Sequence, residues 1–216
     1  MLIVSDVHGE FGALARLARS GELLLILGDL INLIDYRTGE GLISDVLGDD
    51  FGRQVSERRS NSDYAGMGRL WAERTAGRTD EVRAAMHEGV RRQYEECWEA
   101  LTGARGFVTF GNVDRPPLLR ESLPDGMEFV DGEAVDIEGV KFGFVGGGVA
   151  TPAGGAGEVS DEEMTAKLEK IGPVDVLCSH LPPAVEPLHR DVVTGHLERS
   201  SGPILDYLRE YRPRVH

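Results

Sequence analysis

Leu2-Ile3-Val4-Ser5-Asp6-Val7-His8-Gly9 is a short apolar run that ends abruptly in an Asp-x-His pair. On a strand, side chains two residues apart point to the same side, so Asp6 and His8 can converge on one ion where the chain leaves a sheet. A hard carboxylate oxygen beside a borderline imidazole nitrogen suits Mn, Fe, Zn or Mg rather than a thiolate-seeking metal. Alone, the pair is better read as a polar turn after a strand, so its meaning depends on the residues at the other strand ends of the chain.

Three further runs repeat the pattern. Residues 11–19 carry Phe11, Leu14, Ala15, Leu17 and Ala18 at helical spacing, with Gly21 as the stop. Leu23-Leu24-Leu25-Ile26-Leu27 then reads as a central strand buried on both faces, and it ends in Gly28-Asp29. Gly106-Phe107-Val108-Thr109-Phe110 ends in Gly111-Asn112-Val113-Asp114-Arg115, and Val174-Asp175-Val176-Leu177-Cys178 closes on Ser179-His180. In open α/β sheets ligands gather where neighbouring strands end, which puts Asp29 within reach of the ion expected at Asp6 and His8.

Between the second and third strands, residues 31–103 are rich in Arg, Glu, Gly and Ser, first irregular and then helical. They read as a largely helical insertion on a single domain spanning residues 1–216. The clearest helix is expected over residues 80–101, where Val82, Met86, Val90, Tyr94, Cys97, Trp98 and Leu101 recur at three- and four-residue steps. Tyr64, Trp71 and His87 lack ligand-like spacing and are assigned to packing or surface, as are His189 and His216 to a loop and a terminus.

After the third strand, Pro116-Pro117 is expected to prevent a helix from starting immediately. Residues 128–130, 134–137 and 140–145, with Gly139 at hairpin spacing, read as an antiparallel meander and hence a mixed sheet. The glycines at 146–148 and 154–155 lack the Lys-Ser/Thr of a phosphate-binding loop and read as a flexible turn. Ser160-Asp161-Glu162-Glu163 matches a capping box ahead of Met164, Leu168 and Ile171, and Gly172-Pro173 ends that helix.

The totals restrict the function classes. With 41% hydrophobic and 28% charged residues the chain is a folded globular domain rather than a disordered one. A formal charge of −14 opposes non-specific attraction to nucleic acid or to an anionic membrane. Cys97 and Cys178 stand in different patterns, so no disulfide framework is expected. With no basic leader and no apolar run long enough to span a bilayer, a cytoplasmic setting is expected. Sequence leaves the oligomeric state open.

Taken together, Asp6-x-His8, Gly28-Asp29, Gly111-Asn112-x-Asp114 and the strand-end His180 resemble the motif series of the calcineurin-like metallophosphoesterase superfamily. The closest likeness is to bacterial single-domain phosphoesterases of the Gly-Asn-Val-Asp type, in which Ser-His-x-Pro-Pro marks the later His. The resemblance implies a four-layer α-β-β-α sandwich of two mixed sheets. It also implies a dinuclear centre of divalent ions, manganese foremost, with Fe, Zn, Ni and Mg also compatible. Asp6, His8 and Asp29 would hold one metal; Asp29, Asn112 and His180 would hold the other, with Asp29 and Asn112 the residues of catalysis. The implied reaction is hydrolysis of a small phosphomonoester or phosphodiester by a hydroxide lying between two cations about 3.5–4 Å apart.

The sequence departs from the family pattern at two places. Val113 replaces the His that commonly follows the Asn, leaving Asp114 or Arg115 as substitutes for its role toward the leaving group. The final G-H-x-H motif is matched only by Gly195-His196-Leu197-Glu198, in which Glu replaces the last His. A preferred alignment makes residues 202–208 the helix before that motif and Pro213-Arg214-Val215-His216 the start of its strand, so that the chain stops short of the metal-binding pair. These departures support an alternative: a scaffold that keeps the fold, lacks turnover and presents the insertion to a protein partner.

Overall fold

Leu24, Leu25 and Ile26 are completely buried, and the architecture follows from the two faces they serve. The computed structural model describes residues 1–61, 63–151, 154–188, 190, 197 and 199–216. In chain order the first half comprises β1 (Leu2–Val4), α1 (Phe11–Ala18), β2 (Leu23–Ile26), α2 (Leu42–Leu47), α3 (Asp49–Ser60), α4 (Tyr64–Thr75) and α5 (Thr79–Ala100). Then come β3 (Arg105–Val108), α6 (Pro116–Arg120), β4 (Met127–Phe129), β5 (Glu133–Ile137), β6 (Val140–Val145), β7 (Gly148–Val149), β8 (Glu158–Val159), α7 (Asp161–Ile171), β9 (Val176–Ser179) and α8 (Gly202–Tyr211).

The protein is a mixed α/β structure with several sheets. β1, β2, β3 and β4 form one sheet in that order, parallel throughout, with Leu25 in register between Ile3 and Phe107. A second sheet has the order β5-β6-β9, β5 and β6 antiparallel and β6 and β9 parallel. A short parallel pair, β7 and β8, stands apart. Beyond α8, Val215 forms a parallel bridge to Val176, with the Leu177 N–H donating to the Val215 carbonyl at 3.0 Å.

Side-chain alternation divides the core into three clusters. Leu24, Ile26 and Val108 pack with Leu14 of α1 and Val90, Tyr94 and Cys97 of α5. On the opposite face Leu25 meets Ile137, Phe142, Phe144 and Cys178 of the second sheet, and the rings of Phe107 and Phe144 lie 5.8 Å apart. Val145 and Leu177 pack instead with Met164, Leu168 and Ile171 of α7 and Ile204 and Tyr207 of α8. Both cysteines are free and buried, and burial pushes the Cys178 thiol up to about 12.

Local signals explain most element ends. Ser160 caps α7, its Oγ accepting from the Glu163 N–H while the Glu163 carboxylate accepts from the Ser160 N–H, which satisfies two otherwise orphaned donors. Gly172 ends that helix at φ 63°.

Three expectations change. The segment expected as the first strand of a meander, β4, leaves the second sheet and pairs in parallel with β3, so that only β5 and β6 form a hairpin. The mixed character therefore belongs to the second sheet alone. Pro116-Pro117 opens α6 instead of delaying it, because a first-turn proline lacks only an N–H that has no helical partner. The glycines at 146–148 are packed rather than loose: a Cβ on Gly146 would lie 2.4 Å from Thr109 Oγ1, and one on Gly148 2.2 Å from the Asn112 Cβ.

Candidate metal centre

The polar residues behind β1 and β2 occupy backbone that side chains rarely adopt. Asp6, His8 and Asp29 have φ of 55°, 43° and 54°, a left-handed conformation that costs roughly 1–2 kcal/mol per residue. Neighbouring strands over-determine these turns. The Asp6 N–H donates to the Gly28 carbonyl at 3.1 Å, the His8 N–H to Asp29 O at 2.9 Å and the Gly9 N–H to Leu30 O at 3.0 Å. Each strand end is therefore held by backbone bonds to the next while its side chain is turned out of the sheet.

Glycine allows the third strand end to come close. A Cβ on Gly28, at φ 101°, would sit 2.1 Å from the Gly111 nitrogen, and a Cβ on Gly111 would sit 2.1 Å from Asp29 Oδ1. The Gly-Asp and Gly-Asn pairs thus need their glycines for close approach to each other.

This packing brings all five expected ligands together. One ligand atom each from Asp6, His8 and Asp29 lies within 4.8 Å of the others. His8 Nε2 is 3.7 Å from both Asp6 Oδ1 and Asp29 Oδ2, and His180 Nε2 is 3.6 Å from Asp29 Oδ2 and 3.3 Å from Asn112 Oδ1. Asp29 is buried at 3% exposure, and its Oδ1 accepts the Val113 N–H at 3.0 Å, leaving Oδ2 between the two imidazoles. His180 Nδ1 lies 3.0 Å from the Leu27 carbonyl and His8 Nδ1 3.4 Å from Ile31 O. A carbonyl behind Nδ1 fixes the tautomer and turns Nε2 toward the centre.

The donor set fits divalent metal. Two ligand atoms on one cation at about 2.0–2.2 Å each are separated by roughly 3–4 Å, the spacing seen around Asp29 Oδ2. The pairs at 3.6–3.7 Å are too far apart to hydrogen-bond each other, and oxygen with imidazole nitrogen suits Mn, Fe, Zn, Ni or Mg. Electrostatics runs the same way: the His8 imidazole holds the Asp6 carboxyl down to about 2, and Asp6 in turn raises His8 above its ordinary value.

Asp114 holds the loops behind the centre. Fully buried, its Oδ2 accepts the N–H groups of Asp29 at 2.7 Å and Gly111 at 2.8 Å, and its Oδ1 accepts from the Leu30 N–H and the Tyr94 hydroxyl, both at 3.1 Å. The Tyr94 oxygen also accepts the Arg115 N–H at 2.8 Å. Burial pushes the Asp114 carboxyl up, against the pull of the Gly111, Leu30 and Asp29 N–H groups. The Asp114 carboxylate is therefore inaccessible and fully engaged, and it faces the loops rather than the centre. Val113 directs its side chain into the apolar cluster under the first sheet.

Sequence reasoning places Tyr94 in an apolar stripe, although a buried tyrosine hydroxyl needs a partner, which is the available signal. It also misses Asn32, in the loop after β2, and Arg92 and Gln93 of α5, which come beside His8. His189, His196 and Glu198 lie outside the described residues. His216 Nε2 sits 2.7 Å from Ser179 Oγ, and burial lowers its pKa.

No helix among the described residues is long and apolar enough to cross a membrane. No protein-family model matches the chain, and no curated protein matches its sequence.

Proposed function

We propose that this chain is a divalent-metal-dependent phosphoesterase on a four-layer α-β-β-α sandwich. The three core clusters support the layering: helices against the first sheet, sheet against sheet, and α7 with α8 against the second. One observation carries the functional reading. Asp29 Oδ2 lies between the imidazoles of His8 and His180, with Asp6 beside His8 and Asn112 beside His180, so that oxygen and nitrogen ligands from four strand ends gather at one centre.

Asp6, His8 and Asp29 would hold one cation, and Asp29, Asn112 and His180 a second, manganese foremost. When bound, such a pair supplies Lewis-acid polarisation of the phosphoryl oxygens and an ionisable water at neutral pH. The chain's own groups do the positioning. Carbonyls orient both imidazoles, the Val113 N–H holds Asp29, and Asn112 adds an oxygen without adding charge. Hydrolysis breaks the ester P–O bond, and the departing oxygen needs a proton. Val113 cannot supply it, and a general acid at such a position is typically worth ~10²–10⁴ in rate. Aryl esters, whose leaving groups depart without a proton, are thus the substrates least affected.

The packing of Val113 favours a second reading, a weakly active or inactive scaffold that binds a protein partner. Hydrolysis of p-nitrophenyl phosphate and bis(p-nitrophenyl) phosphate with Mn²⁺ separates the two. The phosphoesterase reading expects Mn²⁺-stimulated turnover that is lost in Asp29→Ala; silence toward both esters in the metal-loaded chain rejects it for the scaffold.

A further inference from the structure

A cleft of about 370 Å³ opens beside His8, within the range of small-ligand pockets. Its floor is the turn after β1, His8 to Phe11, and its far wall is the middle of α5. Gln93 ties the two sides together: its Oε1 accepts the Asn32 N–H at 2.7 Å and its Nε2 donates to the Asn32 carbonyl at 3.1 Å. The Asn32 side chain remains half-buried at the cleft, with its Cβ 3.1 Å from where a Cβ on Gly9 would stand. The wall is therefore fixed, and one end of the space it encloses is a ligand of the proposed metal centre.

The charges indicate what fits. Arg91 is clamped by Glu88 and Glu95 on the outside of α5. Arg92, which lines the cleft, is in no hydrogen bond or ion pair among the described residues. Three carboxylates, Glu10, Asp45 and Glu96, share the cleft with it, which gives these four side chains a formal charge of −2. A second anionic group on the substrate would meet more repulsion than attraction. Among the described residues that line the cleft, Phe11 is the one Phe, Tyr or Trp, and it is packed against the core, so these residues present no Phe, Tyr or Trp face on which a nucleobase could stack. Carboxylates accept, a guanidinium donates and an amide does both; a hydroxyl group, donor and acceptor at once, can pair with each of them.

Resting on the phosphoesterase reading, we infer that the cleft binds the alcohol portion of the substrate, and that this portion is polyhydroxylated, a sugar or polyol. Arg92 and Asp45 are the specificity-determining residues, and helix α5 brings Arg92 to the site.

The test combines binding with turnover. In a ¹⁵N NMR titration of the full chain, glucose 6-phosphate is expected to shift the side-chain amides of Asn32 and Gln93. Arg92→Ala and Asp45→Asn, both at exposed positions, are each expected to weaken its affinity about tenfold. In Mn²⁺-loaded protein the same variants are expected to lower the ratio of kcat/KM for glucose 6-phosphate to that for p-nitrophenyl phosphate by about tenfold, chiefly through KM. If the amides do not respond, or both variants keep the wild-type affinity within twofold, the inference is wrong. Tighter binding of inorganic pyrophosphate than of glucose 6-phosphate also overturns it, in favour of an anion pocket. Binding of glucose 6-phosphate at these amides without turnover of any ester supports the cleft and removes only the phosphoesterase reading.

Discussion

Replacing Asp114 with alanine removes the shared acceptor of four buried donors, the Asp29, Gly111 and Leu30 N–H groups and the Tyr94 hydroxyl. Each buried donor left without a partner costs about 1–3 kcal/mol. Water entering the vacated space restores part of this, so the expected loss is about 3–5 kcal/mol, at the upper end for single substitutions. At this chain length 1 kcal/mol moves Tm by about 2–4 °C, so the variant should melt roughly 6–20 °C lower by calorimetry. Because the same carboxylate fixes the backbone on which Asp29 and Asn112 stand, Mn²⁺ affinity should fall about 10–100-fold, as it does when groups supporting a metal ligand are lost. Asp114→Asn should be milder. Its amide oxygen can still accept from Asp29 and Gly111, and its NH₂ can donate to the Tyr94 oxygen, leaving mainly the Leu30 N–H unmet. An Asp114→Ala protein that melts within about 3 °C of wild type, well short of the roughly 6–20 °C expected, and binds Mn²⁺ equally well would refute this account of the loop hub.

Other perturbations probe separate links. Gly28→Ala forces a Cβ at φ 101° to within 2.1 Å of the Gly111 nitrogen, so Mn²⁺ binding measured by calorimetry should be lost even where the protein still folds. Tyr94→Phe removes one donor to Asp114 and the acceptor of the Arg115 N–H; it should lower Tm by roughly 2–8 °C for about 1–2 kcal/mol. In metal-free protein, NMR titration should find His8 above its ordinary pKa of 6.5, and Asp6→Asn should lower it, since Asp6 stabilises the imidazolium. The raised value makes the stability contributed by protonated His8 fully present below about pH 6.5 and lost as pH rises through the folded pKa. Metal binding has the opposite dependence: protons compete for Nε2, so Mn²⁺ affinity should weaken as pH falls through that same pKa. Ser160→Ala, which breaks the α7 capping box, should cost about 2–4 °C in Tm without changing metal affinity.

The strand ends are legible in the sequence because short apolar runs followed at once by Asp, Asn or His carry both the element and its chemistry in adjacent residues. That is why Asp6, His8, Asp29, Asn112 and His180 can be selected before their distances are known. β4 is not assigned correctly because a three-residue segment, Met127-Glu128-Phe129, carries no sign of which sheet, or which direction, it will pair in. Asp114 is visible as a motif residue but not as a hub, since its bond to the Asp29 N–H spans 85 positions. The cleft is hidden for the same reason. Asn32 and Gln93 are 61 residues apart, and nothing in the periodicity of α5 separates Arg92, which faces the cleft, from Arg91, which faces outward.

Equilibrium titration with Mn²⁺ on wild type and Asp29→Ala tests the central claim most directly, because Asp29 Oδ2 is the atom both halves of the centre share. Two ions per wild-type chain, with loss of both in Asp29→Ala, is the predicted result. Absence of specific Mn²⁺ binding in the wild type, or two ions retained at unchanged affinity in Asp29→Ala, would contradict it.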